Sequence, residues 1–135
     1  MKVNMTNALV LNQDKHVLII HNCKNGSDRY EFPGGKVRDN ETLEETTIRE
    51  FLEETGAVIK LKGIFGEYET DTPEGRFLCR TYFADIIQGI PRILETKKAD
   101  FLDYVSYAEL ERLARAGTLV PNLVDALHKL KKIVA

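Results

Sequence analysis

The sequence predicts an α/β fold, a mixed sheet flanked by helices, in a single domain over residues 1–135. Three observations carry that reading. Apolar, β-compatible runs open the chain at "MTNALVLN" and "KHVLIIHN", and two longer ones, "AVIKLKGIFGEYET" and "RFLCRTYFADII", fill its middle. A helix-patterned segment, Thr42 to Thr55, stands between the two groups. Two further helical segments close the chain, and strands split and followed by helices bury their apolar sides when helices cover both faces of the sheet.

The elements follow in order. Turn-prone Asn12-Gln13-Asp14 parts the first two strands. "CKNGSDR" is a polar loop that turns at Asn25-Gly26. "YEFPGGKV" cannot be helical, because Pro33 lacks an N–H and Gly34 and Gly35 add backbone entropy. Asn40 or Thr42 stands where a helix cap belongs, Glu44 and Glu45 face the dipole favourably, and Gly56 supplies a left-handed C-terminus. On a helical wheel Leu43, Thr47, Ile48, Phe51 and Leu52 cover one broad side, expected to pack on the sheet. "DTPEG" is the turn between the two long strands. Tyr107 to Ala116 reads as a second helix ending at Gly117. Pro121 starts a third, with Leu123, Leu127 and Leu130 at helical spacing and Lys129, Lys131 and Lys132 at the end that favours cations.

Bulk properties narrow the function. A net charge of −2 gives no basic field toward nucleic acid or an anionic membrane, so stable nucleic-acid binding and membrane association are not expected. No stretch approaches the roughly 18 apolar residues of a membrane span, and the N-terminus lacks the pattern of a signal peptide. Cys23 and Cys79 make no zinc pattern, and His16, His21 and His128 form no spaced cluster. Two reduced thiols fit a cytoplasmic chain.

The chemistry concentrates in one segment. Glu41, Glu44, Glu45, Glu50, Glu53 and Glu54 crowd one short helix, with Glu31 just upstream. Like charges three or four apart on a helix cost roughly 0.2–0.5 kcal/mol per pair, so either water screens them or a cation belongs there. Glu50 and Glu54 stack one turn apart and Glu53 flanks them, so the three carboxylates share one face. No lysine lies three or four residues away to relieve them. Oxygen ligands without sulfur or imidazole suit Mg²⁺ or Mn²⁺. Gly34 and Gly35, just ahead, let backbone approach a ligand closely. A metal–phosphate site competes here with a plain solvated acidic face, and these residues alone do not name a reaction.

In register, this segment resembles the Nudix hydrolase family. Gly35, Glu41 after five residues, Arg49-Glu50 after seven more, apolar Phe51, the pair Glu53-Glu54, Gly56 and the final Ala57 meet every fixed position of that family's box over 23 residues. Asp39-Asn40 stands where many members have Pro-Gly, and Ala57 is small for its place. The resemblance implies a Nudix-type α/β/α sandwich on a mixed sheet. It also implies hydrolysis of a nucleoside diphosphate linked to another group, with Mg²⁺ or Mn²⁺ as cofactor. It assigns Glu50, Glu53 and Glu54 to the metal, with the Gly34 carbonyl as a further ligand, and Arg49 to orienting Glu50 or Glu53. The proton of the attacking water falls to Glu50 or Glu53, or to a later acid, Glu95 ahead of Asp100. Substrate contacts are expected from Phe32, Gly35, Lys36, Arg76, Tyr82 and Asn122. Among these, Phe32 and Tyr82 would stack on a base, Asn122 would read its edge, and Arg76 would meet a phosphate. The expected partner is a small-molecule nucleotide. A nucleoside triphosphate, oxidised and non-standard ones included, cleaved to monophosphate and pyrophosphate, comes first. ADP-ribose or another nucleotide sugar is the alternative, signalled by Pro73 sixteen residues past Ala57. A non-catalytic nucleotide-sensing module is the third reading. The oligomeric state is open, a homodimer included.

Overall fold

The computed structural model describes residues 2–134. In chain order the elements are β1 (Met5–Leu9), β2 (Val17–Asn22), β3 (Arg29–Glu31), β4 (Gly34–Lys36), α1 (Leu43–Thr55), β5 (Val58–Thr72), β6 (Gly75–Gln88), β7 (Ala99–Val105), α2 (Tyr107–Arg115) and α3 (Pro121–Val134).

Two sheets form. One is four-stranded and mixed, in the order β4-β1-β6-β5, and the other is three-stranded, in the order β3-β2-β7. The first is mixed because β1 runs parallel to β6, with Met5 opposite Cys79 and Leu9 opposite Phe83, while β4 and β5 pair antiparallel. The second is antiparallel throughout. The expected mixed sheet is joined by a second, antiparallel one: consecutive strands β1 and β2 enter different sheets, bridged where the Leu18 N–H donates to the Val10 carbonyl at 3.0 Å.

The near-continuous apolar runs of β1 and β2 are buried on both sides, as strands covered by helices on each face must be. Ala8, Val10 and Leu18 join Phe51, Ala57, Ile59 and Ala84 in a core under α1. Leu9, Val17 and Ile19 point the other way, into a larger core with Phe32, Phe65, Leu110, Leu123 and Leu130 that α2 and α3 close. The alternation within each strand thus produces the α/β/α layering.

The face of α1 differs from the expected one. Thr46, Thr47, Phe51 and Thr55 are its buried residues, whereas Leu52 is 44% exposed. Threonine is tolerated inside because each hydroxyl is used: Thr47 donates to the Leu43 carbonyl, Thr55 to the Phe51 carbonyl, and Thr46 to Glu41. Strand β7 has no counterpart in the sequence reading, since Asp100 and Asp103 interrupt its apolar pattern. No helix among the described residues is long and apolar enough to cross a membrane.

Candidate active site

Helix α1 begins at a capping box. Thr42 accepts the Glu45 N–H at 3.1 Å and Glu45 accepts the Thr42 N–H at 2.9 Å, so the cap is Thr42 and not Asn40. It ends at Gly56, whose φ of 76° is the left-handed conformation that favours glycine. These two stops fix which turn of the helix faces β4.

Glycines bring the strand against that turn. A Cβ on Gly34 would lie 2.1 Å from the Thr6 carbonyl oxygen, so only glycine lets β4 close onto β1. A Cβ on Gly35 would lie 2.4 Å from the Glu50 carboxyl carbon. The Gly34 N–H donates to Glu54 Oε1 at 2.7 Å. Burial drives the Glu54 carboxyl well above the usual carboxylate range, and repulsion from Glu31 adds to it, against the Gly34 hydrogen bond. Burial likewise raises Glu50, partly offset by Arg49.

Glu31 is the residue the sequence reading passed over. Burial pushes its carboxyl up to about 7, against the opposing charge of Arg29 and a hydrogen bond from Asn22. Its Oε2 is buried and has no hydrogen-bond partner. The available signal was its place between Tyr30 and Phe32: strand alternation turns Glu31 away from the side on which Phe32 enters the core.

Arg49 organises a second set of acids. Its Nε and Nη2 meet the Glu41 carboxylate at 2.6 and 2.8 Å, and its Nη1 reaches Glu50 at 3.0 Å and Glu53 at 3.3 Å. This bidentate contact holds Glu41 down at about 2, with the Thr46 hydroxyl helping. One guanidinium therefore supplies the relief that lysine spacing denied the helix.

Between β4, the β2–β3 loop and the tip of the β5–β6 hairpin lies a cleft of about 570 Å³. Its lining combines the acids Glu31, Glu50 and Glu54 and the glycines Gly34 and Gly35 with the basic Lys24, Arg29 and Lys36, and with Thr72, Pro73 and Glu74 from the hairpin tip. Lys36 pairs with Glu74 and lies 5.3 Å over the Phe77 ring. A smaller cavity of about 70 Å³ shares Glu31 and Glu54 with the cleft and adds Glu95, which pairs with Lys98 at 2.8 Å.

The structure thus brings together Gly34, Gly35, Lys36, Glu50, Glu54 and Glu95. Others it places elsewhere. Glu53 has a side chain 48% exposed, is turned to Arg49, and does not line the cleft, so the expected convergence of three box carboxylates reduces to Glu50 and Glu54. Phe32 is 2% exposed in the core and Tyr82 3%, its hydroxyl between Glu44 and Arg80, so neither ring offers a face to a base. Arg76 sits on the outer hairpin, paired with Glu69 and Asp71, and does not line the cleft. Asn122 is buried in the first turn of α3. The segment just before α3 abuts β3: the Tyr30 N–H donates to the Thr118 carbonyl at 2.8 Å and the Val120 N–H to the Tyr30 carbonyl at 3.1 Å.

The donor set fits a hard divalent cation in kind. It is all oxygen, and a buried carboxylate oxygen without a partner beside a second buried carboxylate calls for positive charge or a proton. Among the described residues, no three acid, histidine or cysteine side chains are already gathered around one ion position.

Comparison with known proteins agrees with this architecture. YtkD of Bacillus subtilis (strain 168), provisionally named an 8-oxo-dGTP diphosphatase, is 43% identical over 81 residues, covering 53% of this chain and 50% of that protein. The ADP-ribose pyrophosphatase of Methanocaldococcus jannaschii is 32% identical over 98 residues, covering 70% of this chain and 58% of that one. The chain thus spans little more than half the length of these curated relatives. The crystal structure of a MutT protein from Methanosarcina mazei Go1 superposes with a TM-score of 0.80 at 21% identity, over 96% of this chain and 93% of that one. The NUDIX domain family model matches residues 1–127, enclosing the box and the two sheets that frame it, and by that match the chain belongs to the Nudix family.

Proposed function

We propose that the protein is a Nudix pyrophosphohydrolase that cleaves a nucleoside diphosphate linked to another group with a divalent cation, Mg²⁺ or Mn²⁺. The observation that carries this reading is the pair of buried carboxylates, Glu31 and Glu54, set beside Gly34 in a cleft that Lys24, Arg29 and Lys36 also line. The carboxylates suit a cation and the basic groups suit phosphate oxygens. When bound, the divalent ion neutralises diphosphate charge and acidifies water.

This chain's own residues do the rest. Glu50 and Glu54, with the Gly34 carbonyl, hold the cation. Glu53 acts through Arg49, which fixes Glu50 in place. Lys36 and Arg29 orient the phosphates. Glu95 takes the proton of the attacking water, with Glu50 as the alternative acceptor. Glu95 suits the role because it reaches the same small cavity as Glu54 while standing outside the box.

Among substrates, a nucleoside triphosphate, oxidised or otherwise non-standard ones included, cleaved to monophosphate and pyrophosphate, is the favoured reading. Arg76, the phosphate contact expected under the nucleotide-sugar alternative, is paired with Glu69 and Asp71. Asn122 is buried in the first turn of α3 and does not line the cleft, so its part in reading a base edge rests on its paired donor and acceptor alone. ADP-ribose stays as the second reading because Pro73 does line the cleft. A panel of nucleoside triphosphates, ADP-ribose and nucleotide sugars, each with Mg²⁺ or Mn²⁺ and with products separated by chromatography, decides between them. Absence of turnover across the panel, with nucleotide binding retained, returns the chain to the sensing-module reading.

A further inference from the structure

Outside the box lies a second cluster of titratable groups. His21, at the end of β2, has a side chain 12% exposed and is bonded at both ring nitrogens: Nδ1 lies 2.5 Å from Asp100 Oδ1 and Nε2 lies 2.6 Å from Asp28 Oδ1. A neutral imidazole carries one N–H and serves only one of two carboxylates, so this geometry requires the imidazolium. The ring also rests on Tyr30, with centroids 4.2 Å apart.

Each carboxylate comes from a segment that shapes the proposed site. Asp28 ends the β2–β3 loop, whose Lys24, Asn25 and Ser27 line the cleft. Asp100 follows Ala99 and the Glu95–Lys98 turn, which together border the small cavity. The register of β2 with β7 shifts between His21 and Asn22, which face Phe101 and Ala99, so Asp100 is the extra residue of a bulge. Bulges re-aim side chains beside functional sites, and this one aims a carboxylate at His21.

We propose that His21 is a positioning residue: as an imidazolium it clips the Lys24–Asp28 wall of the cleft to the segment that carries Glu95, and it releases the loop arm when it loses its proton. The loop arm yields because Asp100 sits in a strand paired on both sides of the bulge, whereas the loop beyond Cys23, whose N–H donates to the Lys98 carbonyl at 2.8 Å, is held by local bonds, Lys24 N–H to Asn22 Oδ1 and Ser27 N–H to the Lys24 carbonyl, each at 3.0 Å. The charged and titratable groups facing the ring are Asp100 from β7, Asp28 from the loop and Tyr30 from β3, and the Glu31 carboxyl on the other face of β3 feels the imidazolium charge. Burial acts to lower the His21 pKa, but the bonds to Asp100 and Asp28 outweigh it and raise the value. With the folded pKa raised above the unfolded one, the clip is fully present below the ordinary histidine range and is lost as pH rises through the raised value.

The role in catalysis rests on the function proposed above, but the clip itself is tested without turnover. Nitrogen-detected NMR of the imidazole, with amide spectra from pH 5 to 9, is the primary measurement. Both ring nitrogens should carry protons at pH 7, and their titration should coincide with shifts of the amides from Lys24 to Asp28. Asp28→Asn, a surface change that leaves the fold intact, should lower the titration midpoint and uncouple those amides. In wild type, KM for the best nucleotide should rise about 5-fold or more through the same pH range with kcat little changed, the lower end of coupling between linked sites. In Asp28→Asn that rise should vanish. A His21 that titrates at or below its ordinary value, loop amides that ignore its titration, or a KM that stays flat across it in an active enzyme overturns the proposal. If no nucleotide is turned over, the NMR arm still decides the clip, and the failure belongs to the proposed function.

Discussion

Two ends of one helix treat the same side chain in opposite ways. At the N-terminal end Glu41 meets Arg49 in a bidentate contact that holds its carboxyl at about 2. At the C-terminal end Glu54 meets a backbone N–H and the charges of three other acids, Glu31, Glu50 and Glu95, and burial drives its carboxyl well above the ordinary range. Glu53 and Glu54 are adjacent yet fall into different sets, Glu53 with Arg49 and Glu54 with the cleft. The difference teaches that an acid-rich helix is not one acidic surface. Its satisfied acids build a scaffold, and its unsatisfied ones are left for a ligand.

The sharpest way to break the contrast is to remove the unsatisfied charge. Glu54→Gln should lower turnover by roughly 10³-fold, about 4 kcal/mol of transition-state stabilisation, and weaken Mg²⁺ or Mn²⁺ binding. The same change relieves repulsion from Glu31, so the melting temperature without metal should rise. Titration calorimetry that finds unchanged metal affinity sinks the assignment.

Next comes the acid beyond the helix. Glu95→Gln should lower kcat by at least roughly 10²-fold with metal affinity little changed, the effect of losing a general base. Steady-state kinetics that leave most of kcat intact move the role to Glu50. The satisfied set is probed through its centre: Arg49→Lys keeps the charge but cannot reproduce the two-pronged contact with Glu41. It should cost roughly 10–100-fold in activity or metal affinity, the range for residues that support ligands indirectly. Kinetics equal to wild type would show that Glu50 holds its place without Arg49.

The smallest effect concerns substrate choice. Asn122→Ala should lower kcat/KM for the best triphosphate by about tenfold, within the cost of leaving a buried polar edge unpaired. Arg76→Ala should be nearly silent, because the arginine is engaged on the outer hairpin. Crippled Arg76→Ala, silent Asn122→Ala and preferred ADP-ribose in wild type together reverse the substrate order.

Much of this was legible in the chain alone. Local chemistry determined the helix from its cap at Thr42 to its stop at Gly56, the refusal of Pro33-Gly34-Gly35 to be helical, the long β5–β6 hairpin turning at "DTPEG", and the last two helices. Each depends on neighbours a few residues apart, which a sequence displays. The spacing of the box likewise carried the family, since a helix converts fixed intervals into a fixed face.

Tertiary structure decided the rest. Only the fold shows that β1 and β2 part into two sheets and that β7 completes the second. Only the fold turns Glu53 outward, sinks Phe32 and Tyr82 into the interior, and ties Arg76 to the hairpin. It also strands the Glu31 carboxylate beside Glu54 and sets His21 between nearby Asp28 and Asp100, which is far along the chain. The physical reason is common to all of these. Whether a polar or aromatic group is free depends on burial and on partners brought from afar, and neither is a property of its own segment.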